Sequence, residues 1–185
     1  MFARTPRLTL RPGWPEDAPA LTRAIAHESV AMKLARLPWP YTEADAAKWL
    51  ELPRASTDAT CLILSHDYAY PTVIGAMSIE ARQHDHGNGH ELGYWLTPDA
   101  WGRGYATEAG EAMVGMARHA LGLKRLQSGY FLDNPASGKV LTKLGFERTG
   151  EEMRHSVARG HAVPCATLEL DLTIAVQTPA FSLAA

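Results

Sequence analysis

The chain has 185 residues, 46% of them hydrophobic and 21% charged, with a formal net charge of −2 at pH 7 and a pI near 6.4. This is one domain of ordinary size with apolar mass for a real core, and it excludes collagen-like, coiled-coil, disordered and disulfide-scaffold chains; the near-neutral charge removes the electrostatic case for a nucleic-acid partner. No run of apolar residues is long enough to span a membrane, Met1 to Arg7 lacks the apolar core of a secretory signal, and two cysteines, Cys61 and Cys165, build no disulfide framework, so the chain reads as cytoplasmic with no membrane partner.

Arg7-Leu8-Thr9-Leu10-Arg11 alternates polar and apolar residues and predicts a half-buried strand, broken by Pro12-Gly13-Trp14-Pro15. Glu16-Asp17-Ala18-Pro19 marks a helix start, and the helical pattern runs to about Arg36. Leu37-Pro38-Trp39-Pro40 is a loop, because proline disfavours helix at the residue before it. Thr42, with Asp45 three positions on, predicts an N-cap for a short helix to about Leu52. Thr60–Leu64, Thr72–Ile79 and Glu91–Leu96 read as an antiparallel meander, with a turn over His84 to Gly89. From Ala106, the spacing of Ala109, Ala112, Met113, Met116, Ala117 and Ala120 predicts an amphipathic helix. A strand lies within Leu123–Phe131. Asn134-Pro135 opens a further helix, with Asn as its cap and Gly145 as its left-handed end. Phe146–Arg154 and Ala162–Leu172 form a last strand pair. Antiparallel strands followed by strand–helix–strand–helix–strand imply an α+β fold with a mixed sheet.

Trp101-Gly102-Arg103-Gly104-Tyr105-Ala106 lies between a strand and the clearest helix. Glycines let backbone N–H groups turn inward, and the helix adds its unpaired N–H groups and positive dipole end. The segment is either an anion site suited to phosphate or a tight connection that needs small residues. It completes neither the P-loop nor the dinucleotide fingerprint: Gly138-Lys139 lacks the upstream glycine, and Thr107 stands where the third dinucleotide glycine belongs.

Glu91-Leu92-Gly93-Tyr94-Trp95-Leu96 followed by Trp101 to Ala109 resembles the central motif of the GNAT N-acetyltransferases, and Asn134-Pro135-Ala136-Ser137 with Lys143-Leu144-Gly145-Phe146 resembles the second. Arg7 to Pro12, Pro40-Tyr41-Thr42 and Ala46-x-x-Trp49-Leu50 are similar to the RimJ/RimL-type ribosomal-protein N-terminal acetyltransferases. The resemblance runs from about Thr5 to Leu172. It implies a single GNAT-like domain over residues 5–172, with a mixed, largely antiparallel central sheet flanked by helices. It also implies acetyl-CoA as co-substrate, no metal, and acetyl transfer to a primary amine by direct attack on the thioester. The acceptor is a protein N-terminus or a small molecule, and a homodimer fits this branch. Mapped by the resemblance, the pyrophosphate would sit on the backbone N–H groups of Gly102, Arg103, Gly104, Tyr105 and Ala106. The pantetheine arm would pair beside Tyr94, Trp95 and Leu96 as an added strand would, with Asn134 in contact. Two positions depart from the family: Trp101 replaces its usual Gln or Arg, and Leu141 falls where many members carry the tyrosine that protonates the leaving thiolate.

Transfer needs a base for the amine, donors for the developing oxyanion, and an acid for the thiolate. Backbone N–H groups at the end of the Glu91–Leu96 strand could serve the oxyanion. Glu91 is the candidate base, directly or through water, or else an ordinary strand carboxylate; His90 is the second candidate by its intrinsic pKa. Ser137 is the candidate acid in place of the missing tyrosine, or a helix-start serine. His84-Asp85-His86 with His90 matches no standard metal spacing. Cys165 reads as a packed strand residue, and Tyr105 as a side chain packed beside the loop. Trp39, Tyr41 and Trp49 line an acceptor pocket or pack in the core. The tail, 173–185, carries no charged side chain and reads as packed on its own domain or a partner subunit, or else as frayed. A CoA-binding regulatory protein without catalysis is the alternative from another class.

Overall fold

The computed structural model describes residues 2–84 and 87–173. The strands are Ala3–Arg4 (β1), Leu8–Arg11 (β2), Ala59–Ser65 (β3), Thr72–His84 (β4), Gly87–Leu96 (β5), Arg125–Phe131 (β6), Glu147–Ser156 (β7) and His161–Asp171 (β8). The helices are Ala18–Ile25 (α1), Glu28–Ala31 (α2), Glu43–Glu51 (α3), Tyr105–His119 (α4) and Pro135–Lys143 (α5). The strands form one sheet in the order β1-β2-β3-β4-β5-β6-β8-β7. Every neighbouring pair is antiparallel except β5 and β6, which run parallel because α4 carries the chain across between them. The expected α+β fold, meander and final strand pair are all present.

Helices cover both faces of the sheet. On one face α4 and α5 lay Tyr105, Ala109, Met113 and Leu141 over Ile63, Met77, Leu92 and Leu126. On the other, α1 and α3 place Leu21, Ile25, Ala46 and Leu50 over Leu62, Leu64 and Ala76. β3 is therefore buried on both faces, which is why Cys61-Leu62-Ile63-Leu64 is an unbroken apolar run. Each such aliphatic side chain contributes roughly 1.5–3 kcal/mol by leaving water. Thr42 caps α3 as expected: its hydroxyl accepts from the Asp45 N–H at 3.3 Å, and the Asp45 carboxylate accepts from the Thr42 N–H at 2.9 Å. Past α5, the Phe146 N–H reaches the Leu141 carbonyl and the Gly145 N–H that of Thr142, with Gly145 at φ +90°. This is a Schellman end.

Three expectations need correction. The helix to Arg36 is two helices, α1 and α2. At Ala26 (φ −72°, ψ 61°) the chain makes an inverse γ-turn, with the His27 N–H on the Ile25 carbonyl, and this brings Val30 and Ala31 into the core. The turn over His84 to Gly89 is narrower, because β4 continues to His84 and β5 begins at Gly87. Asn134 holds the N-cap position of α5, but its side chain makes no capping bond. The tail expectation falls on residues outside the described ones, apart from Thr173.

Candidate active site

The connection from β5 to α4 is a short 3-10 turn, Pro98–Ala100, and then Trp101 to Gly104. Gly102 and Gly104 lie at φ +72° and +81°, a left-handed geometry that L side chains rarely adopt. Gly104 is the N-cap of α4, and no side chain caps the N–H groups of the first turn. They stand at the positive end of a 15-residue helix, which suits an anionic ligand. The loop is braced from behind. The Glu108 carboxylate accepts from Thr5 Oγ1 at 2.5 Å, the Arg7 N–H at 2.9 Å and Arg7 Nε at 2.7 Å. Arg7 Nη1 then donates to the Arg103 carbonyl at 3.0 Å. Burial opposes the charge on Glu108, but these hydrogen bonds outweigh it and hold its pKa below the usual value. The Tyr105 side chain is fully buried, with its hydroxyl donating to Asp67 at 2.6 Å, so it packs beside the loop as expected.

Between β5 and β6 the sheet opens. A single register pair joins them, Glu91 opposite Gln127, and Ser128 Oγ donates to the Leu92 carbonyl at 2.8 Å just beyond it. Among the described residues, no further pair joins Gly93–Leu96 to β6, while the other edge of β5 is fully paired with β4. One edge of this segment is thus left for an extended ligand. Trp101 closes the far end, donating from Nε1 to the Leu96 carbonyl at 2.8 Å. Asn134 and Ser137, at the start of α5, line the same opening. Tyr94 Oη lies 2.8 Å from Ser137 Oγ and 3.1 Å from the Ser137 carbonyl oxygen. Burial pushes the Tyr94 phenol up to about 12. Leu141 is fully buried in the core.

The opening continues into one cleft of about 1380 Å³. Glu91 lines its other wall. Alternation along β5 puts His90 on the opposite face; its Nε2 is buried without a hydrogen-bond partner, and it does not line the cleft. Glu91 is held by Arg154 Nη1 at 2.6 Å, and Arg82 Nε lies 3.8 Å away. Burial works to lower the pKa of Arg154, but attraction to Glu91 and its other anionic neighbours outweighs it and the pKa is raised. Arg154 reaches Glu91 across Gly129, where a Cβ would stand 3.4 Å from Arg154 Nη2 and 3.0 Å from the Ala166 carbonyl. The ion pairs continue from Arg154 to Glu152 at 2.7 Å, and Glu80 takes Arg36 at 3.0 Å and Arg82 at 3.4 Å.

Tyr41 and Trp49 line the cleft and also pack in the α1–α3 core; Trp39 does neither. The loop after α2 closes this end and is tied to the β7–β8 hairpin. The Val157 N–H donates to the Ala35 carbonyl at 2.9 Å and Arg159 Nε to the Met32 carbonyl at 2.8 Å. Cys165 is buried, and burial pushes its thiol up to about 11, consistent with a packed residue. Among the described residues, no group of three or more His, Cys, Asp or Glu could hold a metal ion. Asp85, His86 and the His84 side chain lie outside that description.

The structure thus brings Glu91, Tyr94, Trp95, Leu96, Gly102, Gly104, Tyr105, Ala106, Asn134 and Ser137 to one cleft, whereas Arg103 does not line it and donates to the Tyr68 hydroxyl at 3.3 Å. Sequence reasoning missed Arg154, Arg82 and Arg7, whose partners are far away in the chain, and it missed the Tyr94 hydroxyl. The alternation Leu92-Tyr94-Leu96 was a signal for the last, since it turns Tyr94 toward the face that α5 covers.

Comparison with known proteins supplies the context. The family model described as an acetyltransferase (GNAT) domain matches residues 7–147. A Bacillus licheniformis protein described as the uncharacterized N-acetyltransferase p20 is 26% identical over 166 residues, covering 86% of this chain and 89% of its own. The uncharacterized N-acetyltransferase YoaA of Bacillus subtilis (strain 168) is 36% identical over 78 residues, 42% of this chain and 44% of YoaA, so the matched segment spans less than half of that relative. A GNAT-family acetyltransferase from Bacillus anthracis shares the fold with a TM-score of 0.78 at 18% identity, covering 94% of this chain and 100% of its own. RimL, a ribosomal L7/L12 α-N-protein acetyltransferase solved with coenzyme A, does so with a TM-score of 0.74 at 16% identity, covering 92% and 98%.

Proposed function

The chain belongs to the GNAT acetyltransferase family and is an acetyl-CoA-dependent acetyltransferase, and from that premise we propose that it moves the acetyl group to a primary amine, on a protein N-terminus or a small molecule, by direct attack on the thioester. The observation that carries this reading is the opening between β5 and β6, with Glu91 on one wall, Ser137 on the other and the uncapped glycine loop at its end. The α-N-protein activity named for RimL supports a peptide N-terminus among the acceptors. Relatives described as N-acetyltransferases give the catalytically silent alternative no support.

Acetyl-CoA supplies the activated acetyl thioester. Gly102, Arg103, Gly104, Tyr105 and Ala106 would hold its pyrophosphate through backbone N–H groups, with the Arg103 side chain adding charge. Their left-handed glycines and uncapped helix start fit that group. Backbone groups of Tyr94, Trp95 and Leu96 would pair with the pantetheine, and Asn134, whose carboxamide makes no capping bond, would contact it. Glu91 takes the amine proton, directly or through water, its carboxylate oriented by Arg154. N–H groups at the end of β5 face the developing oxyanion. Ser137 gives a proton to the leaving sulfur.

Two measurements test this. Acetyl-CoA at about 100 times its Kd is expected to raise stability by about 2.7 kcal/mol, read as a rise in Tm. An amine panel containing peptides and small amines is expected to release free CoA with at least one member. No thermal shift at millimolar acetyl-CoA overturns the site; a shift with no CoA release from any amine overturns the transfer.

A further inference from the structure

The Tyr94–Ser137 contact spans the mouth where β5 and β6 have parted, and it joins β5 to α5. Tyr94 has one hydroxyl proton and two acceptors within reach, Ser137 Oγ at 2.8 Å and the Ser137 carbonyl at 3.1 Å. Two arrangements follow. If the Tyr94 proton goes to the carbonyl, Ser137 donates to Tyr94 Oη and its own proton is engaged. If the Tyr94 proton goes to Ser137 Oγ, the serine proton is free to point into the cleft. The two arrangements differ in where the Tyr94 proton points, and only the second leaves the serine proton free.

Resting on the reading of Ser137 as the acid, we propose that Tyr94 is a positioning residue for the transfer: by donating to Ser137 Oγ it leaves the serine proton free for the departing sulfur. Ser137 gives that proton to sulfur as the carbon–sulfur bond breaks, and the hydrogen bond from Tyr94 stabilises the charge that develops on Oγ. Ser137 then regains a proton from water, while the proton lost by the amine leaves through Glu91 to water, so the count balances. Tyr94 keeps its own proton throughout. Burial supports this assignment, because a phenol pushed up to about 12 stays protonated across the assay range and acts as a fixed donor. Leu141, fully buried, offers no hydroxyl of its own, so Tyr94 supplies from β5 a phenol that α5 lacks.

The test is a cycle of Tyr94→Phe, Ser137→Ala and the double variant, measured as kcat, KM for acetyl-CoA and Tm. Tyr94→Phe removes one oxygen and keeps the ring. It is expected to lower kcat about tenfold or more with KM for acetyl-CoA within about twofold, a split that loosened packing alone does not produce. The double variant is expected to be no slower than Ser137→Ala, because the tyrosine acts only through the serine. Ser137→Thr, which keeps a hydroxyl, is expected to recover most of the rate alone and little of it when combined with Tyr94→Phe. A wild-type kcat in Tyr94→Phe with a slow Ser137→Ala overturns the role of Tyr94 and leaves Ser137 as the acid. A wild-type kcat in Ser137→Ala overturns both. Losses that multiply in the double variant show that Tyr94 acts independently of Ser137 and overturn the inference. If Tyr94→Phe lowers Tm and raises KM together, the contact is only structural.

Discussion

The two ends of the cleft are built by different means. The end proposed to hold acetyl-CoA is made largely of backbone: the open edge of β5, two left-handed glycines and the first turn of α4, all within residues 93–107. The end proposed to receive the acceptor is made of side chains from β4, β5 and β7, held in ion pairs such as Glu91 with Arg154, and bounded by a loop tied to the last hairpin. A backbone site survives most side-chain exchange and serves one constant ligand. A side-chain site can be rewritten residue by residue, which suits the part of a transferase that selects its acceptor.

Gly104→Val breaks the acetyl-CoA end most directly. It forces a β-branched residue to φ +81° and brings a side chain toward Arg7 Nη2, already 3.4 Å from the position of a Cβ. The left-handed conformation alone costs about 1–2 kcal/mol. With the loop N–H groups displaced as well, acetyl-CoA affinity is expected to fall by about 30-fold or more, measured by titration calorimetry. Unchanged affinity in the folded variant would show the loop to be only a turn.

Glu91→Gln probes the other end. It is expected to lower kcat by about 10–100-fold near neutral pH and to leave acetyl-CoA affinity unchanged. The deficit should shrink as pH rises, because solution then supplies the amine already deprotonated. A pH–rate profile parallel to wild type removes Glu91 as the base.

Glu108→Gln gives the smallest effect and tests the brace rather than either ligand. Losing charge-assisted bonds to Arg7 and Thr5 is expected to remove about 1–3 kcal/mol, or roughly 3–10 °C of Tm at this size. The folded pKa of Glu108 lies below the ordinary value of 4.5. Its stabilisation is therefore complete above that value and lost as pH falls through the depressed one. The wild type should thus lose its advantage over the variant in acid. An advantage that persists at pH 2 would assign the effect to packing instead.

The same contrast decides what could be read from sequence. Gly102, Gly104, Gly145 and the Thr42–Asp45 pair are legible because each is a local device whose residue types state its geometry, whereas Asn134 takes the N-cap position without its capping bond. The break at Ala26 is not legible, since no Gly or Pro marks it; it follows from Val30 and Ala31 packing into the core. The split between β4 and β5 was drawn too wide because the Gly and Asn residues of 87–89 read as turn, while pairing across the hairpin keeps them in β5. Glu91 was legible as a carboxylate, but not its partner, because Arg154 lies 63 residues away and no local pattern couples the two.

The tie between Arg159 and the Met32 carbonyl bridges 127 residues. At a synthesis rate of roughly 5–20 residues per second, the loop over the acceptor end waits about 6–25 s on the ribosome for the hairpin that closes it. The glycine loop, by contrast, is braced by Thr5, Arg7 and Glu108, all of them earlier in the chain than that hairpin. Pulse-labelled exchange during refolding reads the order directly, since the Val157 amide gains protection only when it reaches the Ala35 carbonyl. The ties that bound the two ends of the cleft thus differ in how much of the chain must be present before they can form.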